Sequence, residues 1–124
     1  MISTALIENP KLVIADEPTP GLDPKLAKRA MEHFRQLADM GAAVLVITHD
    51  LELALETADR VQVFYAGYTI EDAAVDDFNE EETLRHPYTR ALWRAMPKHG
   101  FQYINGVQPY VKDNLQGCPF APRC

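Results

Sequence analysis

Two short runs of consecutive apolar residues predict buried β-strands. The first covers residues 12–15, shortly after Asn9-Pro10, and the second covers residues 43–47. Uninterrupted apolar runs of this length are typical of strands that are buried on both faces. A third run at 61–65 predicts another strand, and Gly67 ahead of residues 68–70 predicts a turn into a fourth, antiparallel strand.

Helical periodicity fills the segments between these runs. From Pro24 to Met40 the apolar residues recur every three or four positions, which predicts an amphipathic helix. Asp23 is placed to cap it, Pro24 takes its first position, and Gly41 ends it. A shorter helix is predicted over residues 51–58 after Asp50, and residues 1–8 are typical of the last turns of a further helix.

The order strand, helix, strand, helix, strand predicts an α/β fold with a sheet of mostly parallel strands and flanking helices. The pattern changes after residue 78. A short helix is predicted over 79–84 and a second over 88–96, followed by an irregular tail rich in proline and glycine. We therefore expect two regions, residues 1–78 with the sheet and residues 79–124 as a small, irregular helical extension.

Charge and composition narrow the range of partners and cellular locations to be expected for this chain. The formal net charge of −6 argues against nucleic acid as a partner. Residues 71–82 carry seven acids and no base, which we interpret as a solvated connector, and residues 83–124 carry six bases against one acid, Asp113. No apolar run approaches the roughly 20 residues of a membrane-spanning helix, and no secretory signal begins the chain, so we expect a cytosolic protein.

Candidate chemistry lies where the first two strands end. The first ends in Asp16-Glu17 and the second in Thr48-His49-Asp50. A crossover long enough for a helix predicts that the two strands are parallel, so these side chains emerge at one edge of the sheet. An aspartate there suits magnesium, an adjacent acid can polarise a water molecule, and an imidazole can donate a hydrogen bond to a phosphate.

The longer sequence around the first predicted strand resembles two motifs of a known protein family. The residues Leu12-Val13-Ile14-Ala15-Asp16-Glu17-Pro18-Thr19-Pro20-Gly21-Leu22-Asp23-Pro24 resemble the Walker B motif and D-loop of ATP-binding cassette (ABC) ATPases. Further along, Ile47-Thr48-His49-Asp50 is similar to the H-loop of the same family.

The resemblance implies a role for each matching residue. Asp16 would orient Mg²⁺ through water, Glu17 would be the catalytic base, and His49 would sense the γ-phosphate of ATP. Asp23 would contribute to the contact between two ATPase subunits, and capping of the following helix is an equally weighted structural explanation for it. The chain has Pro20-Gly21 where such importers often have Ser-Ala or Thr-Ala, which would alter the stiffness of the D-loop.

The C-terminal region resembles one branch of that family. His86-Pro87-Tyr88-Thr89-Arg90-Ala91-Leu92 is similar to the His-Pro-Tyr element of oligopeptide, dipeptide and nickel importer ATPases. The ending Gly117-Cys118-Pro119-Phe120-Ala121-Pro122-Arg123-Cys124 resembles that branch's cysteine-containing segment. In some relatives the cysteines of this tail, together with others further on, look like iron–sulfur ligands. Two thiols do not complete such a site, so we expect Cys118 and Cys124 to be free.

The resemblance implies an ATPase subunit that uses ATP and Mg²⁺ to drive the import of oligopeptides, dipeptides or nickel. Its partners would be a second ATPase subunit, identical or related, and transmembrane permease subunits that hold it at the inner face of the cell membrane. The printed sequence contains neither a P-loop nor the family's signature motif. We therefore expect these 124 residues alone to be inactive, and the alternative is a regulatory module that docks on a partner ATPase.

Overall fold

The computed structural model describes residues 10–110 and 117–124, in a small α/β fold with short sheets and short helices. The helix predicted over residues 1–8 and the acid Asp113 lie outside the described residues. The chain divides into two compact units, Met1–Ala58 and Asp59–Cys124. Within the described ranges, no helix combines the length and the apolar character that crossing a membrane requires.

The first unit alternates strands and helices. Strand β1 (Leu12–Asp16) is followed by helix α1 (Pro24–Asp39), strand β2 (Ala43–Ile47) and helix α2 (Leu51–Thr57). The two strands pair in parallel with Leu12 opposite Ala43 and Asp16 opposite Ile47, which confirms the predicted parallel pairing. On one face of this pair, alternate residues pack against the buried side chains of α1; the contributing residues are Val13, Ala15, Val44 and Val46 from the strands and Met31, Phe34 and Leu37 from the helix.

Both ends of α1 are fixed by the residues that the sequence indicated. The Asp23 carboxylate accepts hydrogen bonds from the backbone N–H groups of Lys25 and Leu26, at 3.0 and 3.2 Å, and Pro24 occupies the first turn. At the other end the backbone N–H of Gly41 donates to the carbonyl of Ala38. Gly41 has a φ of 98°, a left-handed conformation that glycine adopts without a Cβ clash.

The second unit is built on an antiparallel hairpin. Strand β3 (Arg60–Tyr65) turns through Ala66-Gly67 into strand β4 (Tyr68–Ala74), which confirms the predicted fourth strand. Both turn residues have positive φ, the requirement of the tight hairpin turn that matches strand twist. Two short 3₁₀ helices follow (Val75–Asn79, Glu81–Thr83), and then helix α3 (Pro87–Ala95) and two further 3₁₀ turns at Pro97–His99 and Ala121–Arg123.

The prediction of a sheet of mostly parallel strands is not confirmed for the residues described. They form two separate two-stranded sheets, one parallel (β1, β2) and one antiparallel (β3, β4). The physical reason for the separate antiparallel sheet is the two-residue turn at Ala66-Gly67, which lets β3 pair with its immediate neighbour in sequence at a small cost in loop closure.

The expectation that β1 and β2 are buried on both faces was wrong, because alternate residues of each strand are exposed.

Candidate functional site

The carboxyl ends of β1 and β2 bring Asp16, Glu17 and His49 to one edge of the parallel pair. Asp16 lies opposite Ile47 in the register, and the backbone N–H of Glu17 donates to the carbonyl of Ile47 at 2.8 Å. His49 follows two residues after the end of β2. The sheet therefore juxtaposes the acidic pair and the imidazole as the sequence predicted.

The closest contact at this edge joins Glu17 and His49. The Nδ1 atom of His49 lies 3.0 Å from both carboxylate oxygens of Glu17. An ionised carboxylate only accepts hydrogen bonds, so Nδ1 carries the hydrogen. This hydrogen bond, together with the attraction between the charges, raises the pKa of His49 above its ordinary value of 6.5. The His49 side chain is 78% exposed and that of Glu17 38%, so both groups remain open to a ligand.

Glu17 is held in an uncommon backbone conformation. Its φ of 43° lies in the left-handed region, which costs a residue with a Cβ about 1–2 kcal/mol. The hydrogen bond from its N–H to Ile47 offsets part of that cost and aligns the residue with the end of β2. Backbone strain of this kind is concentrated at functional sites, where the surrounding structure enforces the position of a side chain.

The turn that carries His49 is braced by its two neighbours. The hydroxyl of Thr48 accepts a hydrogen bond from the backbone N–H of Asp50 at 3.1 Å. The carboxylate of Asp50 in turn accepts from the N–H of Leu53 at 3.0 Å and caps α2. The position of His49 is therefore set by the end of β2 on one side and the start of α2 on the other.

Asp16 offers a carboxylate at the exposed end of β1. Mg²⁺ is commonly bound in proteins through one or two carboxylates, with water and substrate phosphates completing the shell, so one exposed aspartate fits that ion. Among the residues with described positions, no cluster of three or more His, Cys, Asp or Glu side chains is arranged to enclose a metal. The donor set fits a cation shared with a phosphate ligand and does not fit a metal held by the protein alone.

The hydrogen-bond partners of Asp23 differ from those of Glu17 and His49. Its carboxylate is engaged at the start of α1. The preceding residues form a turn in which the N–H of Leu22 donates to the carbonyl of Thr19 at 3.1 Å. Gly21 has a φ of 80° in this turn, which suits the third position of a Pro-Gly turn. The Pro20-Gly21 pair thus gives the segment before α1 a defined turn.

One buried acid was missed because it stands in the acidic run 71–82, which we interpreted as solvated. Glu71 is only 8% exposed, and its carboxylate accepts from the backbone N–H groups of Arg85 and His86 at 2.8 and 2.9 Å. Burial opposes its charged form, but the hydrogen bonds that the carboxylate accepts outweigh burial and lower its pKa. The alternation of β4, which puts Glu71 and Ala73 on one face, was the available signal.

The His-Pro-Tyr element begins α3 and contacts the cysteine tail. The Nδ1 atom of His86 accepts from the N–H of Tyr88 at 3.1 Å, so the hydrogen of its neutral ring lies on Nε2. That atom lies 3.4 Å from the Sγ of Cys118. Both Cys118 and Cys124 are free and exposed, and Phe120 between them is buried against Tyr65 and Tyr88.

Comparison of the sequence with known proteins finds a matching family and several similar proteins. Residues 70–124 match the family described as "Oligopeptide/dipeptide transporter, C-terminal region". The whole chain aligns with "Probable peptide ABC transporter ATP-binding protein y4tR" of Sinorhizobium fredii at 45% identity over 131 residues. Over its whole length the chain is similar to peptide ABC transporter ATP-binding proteins. Two other relatives are the oligopeptide transport ATP-binding protein AppD of Bacillus subtilis (43% identical over 130 residues) and the dipeptide transport ATP-binding protein DppD of Haemophilus influenzae (39% over 130 residues).

These alignments cover all of the present chain and a minor part of each relative. The 124 residues span 38% of y4tR and 39% of both AppD and DppD. More than half of each relative therefore lies outside the matched stretch.

Proposed function

We propose that this chain supplies the water-activating part of the ATP site in an ABC importer subunit. The contact between Glu17 and His49 at the ends of two paired parallel strands carries the proposal. A carboxylate next to a candidate magnesium residue, with an imidazole in hydrogen-bond contact, can contribute general base catalysis and electrostatic stabilisation to the hydrolysis of a phosphoanhydride. The names of the relatives, which are ATP-binding proteins, support ATP as the nucleotide.

Each residue has a distinct part in the proposed reaction. Asp16 would hold a magnesium ion, which would supply neutralisation of charge on the phosphates. Glu17 accepts a proton from the attacking water. The imidazole of His49 donates a hydrogen bond toward the transferred phosphate, and its contact with Glu17 holds both side chains at the same edge.

Asp23 and the turn before it form the proposed subunit contact. The carboxylate is exposed and fixed at the helix start, so it presents a defined charge to a second ATPase subunit. Permease subunits in the cell membrane are the other proposed partners, which would place the protein at the inner face of that membrane. The proposed cargo is an oligopeptide or dipeptide, as the names of relatives suggest, with nickel as the alternative that the resemblance allows.

The organisation of the chain follows from the proposal. Residues 1–78 would contribute the Walker B, D-loop and H-loop segments, and residues 79–124 would form the importer-type C-terminal extension. The printed sequence has no P-loop to position the phosphates. Because positioning and charge stabilisation supply most of the acceleration in phosphoryl transfer, we expect negligible hydrolysis by the 124 residues alone.

A chimera tests the proposal. Residues 1–124 replace the stretch of AppD that they match, and ATP hydrolysis is measured for the chimera, for AppD and for the isolated chain. We expect hydrolysis by the chimera within about tenfold of AppD, and none above background by the isolated chain. A folded chimera that binds Mg-ATP without hydrolysing it, or hydrolysis by the isolated chain, would contradict the proposal.

A further inference from the structure

A cavity of about 310 Å³ lies in the second unit of the chain. Helix α3 forms one wall, residues 102–105 form another, and the rest comes from Phe120, Arg123 and Cys124. Tyr103 and Cys124 in the lining are exposed, so the cavity opens to solvent. Sites for small organic ligands begin at about this volume, which makes the cavity a candidate for a small molecule or for the end of a short chain.

The guanidinium of half-buried Arg123 is a fixed positive charge in this cavity. Its Nε donates to the carbonyl of Asn105 at 2.8 Å, and its terminal nitrogens donate to the Tyr65 hydroxyl at 3.1 Å and the Ile104 carbonyl at 3.2 Å. It also lies 5.8 Å from the centre of the Tyr65 ring and 6.0 Å from that of Phe120, distances that allow cation–π attraction. All of these partners are neutral, so they hold the guanidinium in place without cancelling its charge.

Arg123 retains hydrogen-bond donors for a ligand. Three of its N–H groups are used within the protein, and each terminal nitrogen keeps one more. A carboxylate accepts a pair of such bonds side by side from one guanidinium. Among the residues with described positions, no carboxylate side chain pairs with Arg123 and none lines the cavity. The free donors and the uncancelled charge therefore favour an anionic ligand.

Arg94 brings a second guanidinium to the cavity, but its charge is already paired. Its Nε donates to one carboxylate oxygen of Glu81 at 2.9 Å, and a terminal nitrogen donates to the other oxygen. Of the charged groups in the described lining, Arg123 is therefore the one whose charge is not cancelled.

The rest of the lining is largely apolar and carries two side-chain amides. The apolar residues are Pro87, Ala91, Ile104 and Phe120, and the amides are those of Gln102 and Asn105. An inorganic anion would leave the apolar walls in contact with water, whereas a ligand with an apolar part covers them. The amides can donate and accept hydrogen bonds, which suits an amide group of a ligand.

We propose that this cavity binds a small organic carboxylate that carries an apolar side chain. The carboxylate pairs with the remaining N–H groups of Arg123, and the apolar side chain packs against Ile104 and Phe120. Two sources share this chemistry, the C-terminal residue of a short peptide and a free carboxylic acid. The inference is independent of the proposed ATP site, because Glu17 and His49 belong to the first unit.

Titration of the ¹⁵N-labelled 124-residue chain, followed by NMR, tests the ligand class. The probes are isocaproate, the dipeptide alanyl-leucine, the C-terminal amide of that dipeptide, and inorganic phosphate. We expect isocaproate, alanyl-leucine or both to give saturable shifts of the Arg123 Nε–H and of the backbone N–H groups of Ile104 and Phe120. The dipeptide amide and phosphate should bind at least about tenfold more weakly, since one lacks the charge and the other lacks the apolar part.

The two carboxylate probes also distinguish the sources. Binding of alanyl-leucine without isocaproate would identify a peptide end as the ligand, and binding of isocaproate would show that a free acid is sufficient. The proposal would be overturned if neither carboxylate shifted these resonances. It would also be overturned if the dipeptide amide or phosphate bound as tightly as the carboxylates.

Two variants with matched controls locate the site. Arg123→Gln removes the charge, and Arg85→Gln removes a charge of the same unit from an exposed position outside the lining. Because Arg123 also holds neighbouring carbonyls, Ala91→Leu is an independent variant that fills the cavity, and its control is Ala95→Leu on the same helix outside the lining. We expect both cavity variants to weaken binding at least about tenfold and both controls to bind like the native chain. Native affinity in a cavity variant whose circular dichroism matches the native chain would overturn the proposal.

Discussion

The Nδ1 atom of His49 lies 3.0 Å from both carboxylate oxygens of Glu17, across the ends of two parallel strands. This hydrogen bond and the accompanying charge attraction raise the pKa of His49 above 6.5. We expect the imidazole resonances of His49 to report that elevated pKa in an NMR titration. Glu17→Gln should return the value toward 6.5, because it removes the charge and keeps the size of the side chain.

The sign of the accompanying stability effect follows from the direction of the shift. A histidine with a raised pKa in the folded state stabilises the fold below its unfolded pKa, and this contribution is lost as the pH rises through the folded pKa. Asp39→Asn is the matched control, since it neutralises an exposed carboxylate of the same unit that pairs with Arg35. A His49 titration that is the same in Glu17→Gln as in the native chain would contradict the contact.

Glu71 should be a large contributor to the stability of the second unit. Glu71→Ala leaves the N–H groups of Arg85 and His86 without their acceptor, and we expect a loss of roughly 2–4 kcal/mol in the free energy of unfolding. Chemical denaturation followed by circular dichroism measures it. Glu82→Ala, at an exposed position of the same acidic run, should change stability by less than about 0.5 kcal/mol.

The Glu71 contribution also predicts a pH dependence. Its pKa is lowered in the fold, so its stabilisation is complete above the ordinary value of 4.5 and is lost as the pH falls through the folded pKa. The difference in stability between the native chain and Glu71→Ala should therefore shrink below pH 4.5 and stay constant at neutral pH. A difference that is constant throughout acidification would show that the carboxylate is not the stabilising group.

Substitutions at Asp23 can distinguish its role in capping α1 from its proposed role in a contact between ATPase subunits. Asp23→Ala should destabilise the chain by about 1 kcal/mol, since it removes the acceptor for Lys25 and Leu26, whereas Asp23→Asn should be nearly neutral. In the AppD chimera, Asp23→Asn then removes the charge without removing the cap. Reduced ATP hydrolysis with unchanged stability would support the subunit role, and unchanged hydrolysis would leave capping as its only role.

Local sequence signals were sufficient for most of the first unit. The apolar periodicity of α1, the cap at Asp23 and the left-handed Gly41 each depend on residues within a few positions of one another. The convergence of Glu17 and His49 followed from a topological rule, because a helical crossover brings the carboxyl ends of parallel strands together.

The incorrect predictions of burial depended on contacts between residues that are distant in sequence, which local sequence patterns do not reveal. Continuous apolar runs predicted strands covered on both faces, but they do not show which segment covers Ile14 and Leu45. The burial of Glu71 could not be predicted from the acidic run 71–82. It depends on hydrogen bonds from backbone N–H groups that are fourteen and fifteen residues away in sequence.

The most direct test of the proposed function is Glu17→Gln in the AppD chimera, with Mg-ATP binding and phosphate release measured on the same protein. The amide keeps the shape of the side chain but cannot accept the proton of the attacking water. We expect hydrolysis to fall at least about 100-fold while ATP stays bound, since general base catalysis contributes roughly that much or more. Hydrolysis at the rate of the unsubstituted chimera would contradict the assignment of Glu17 as the base.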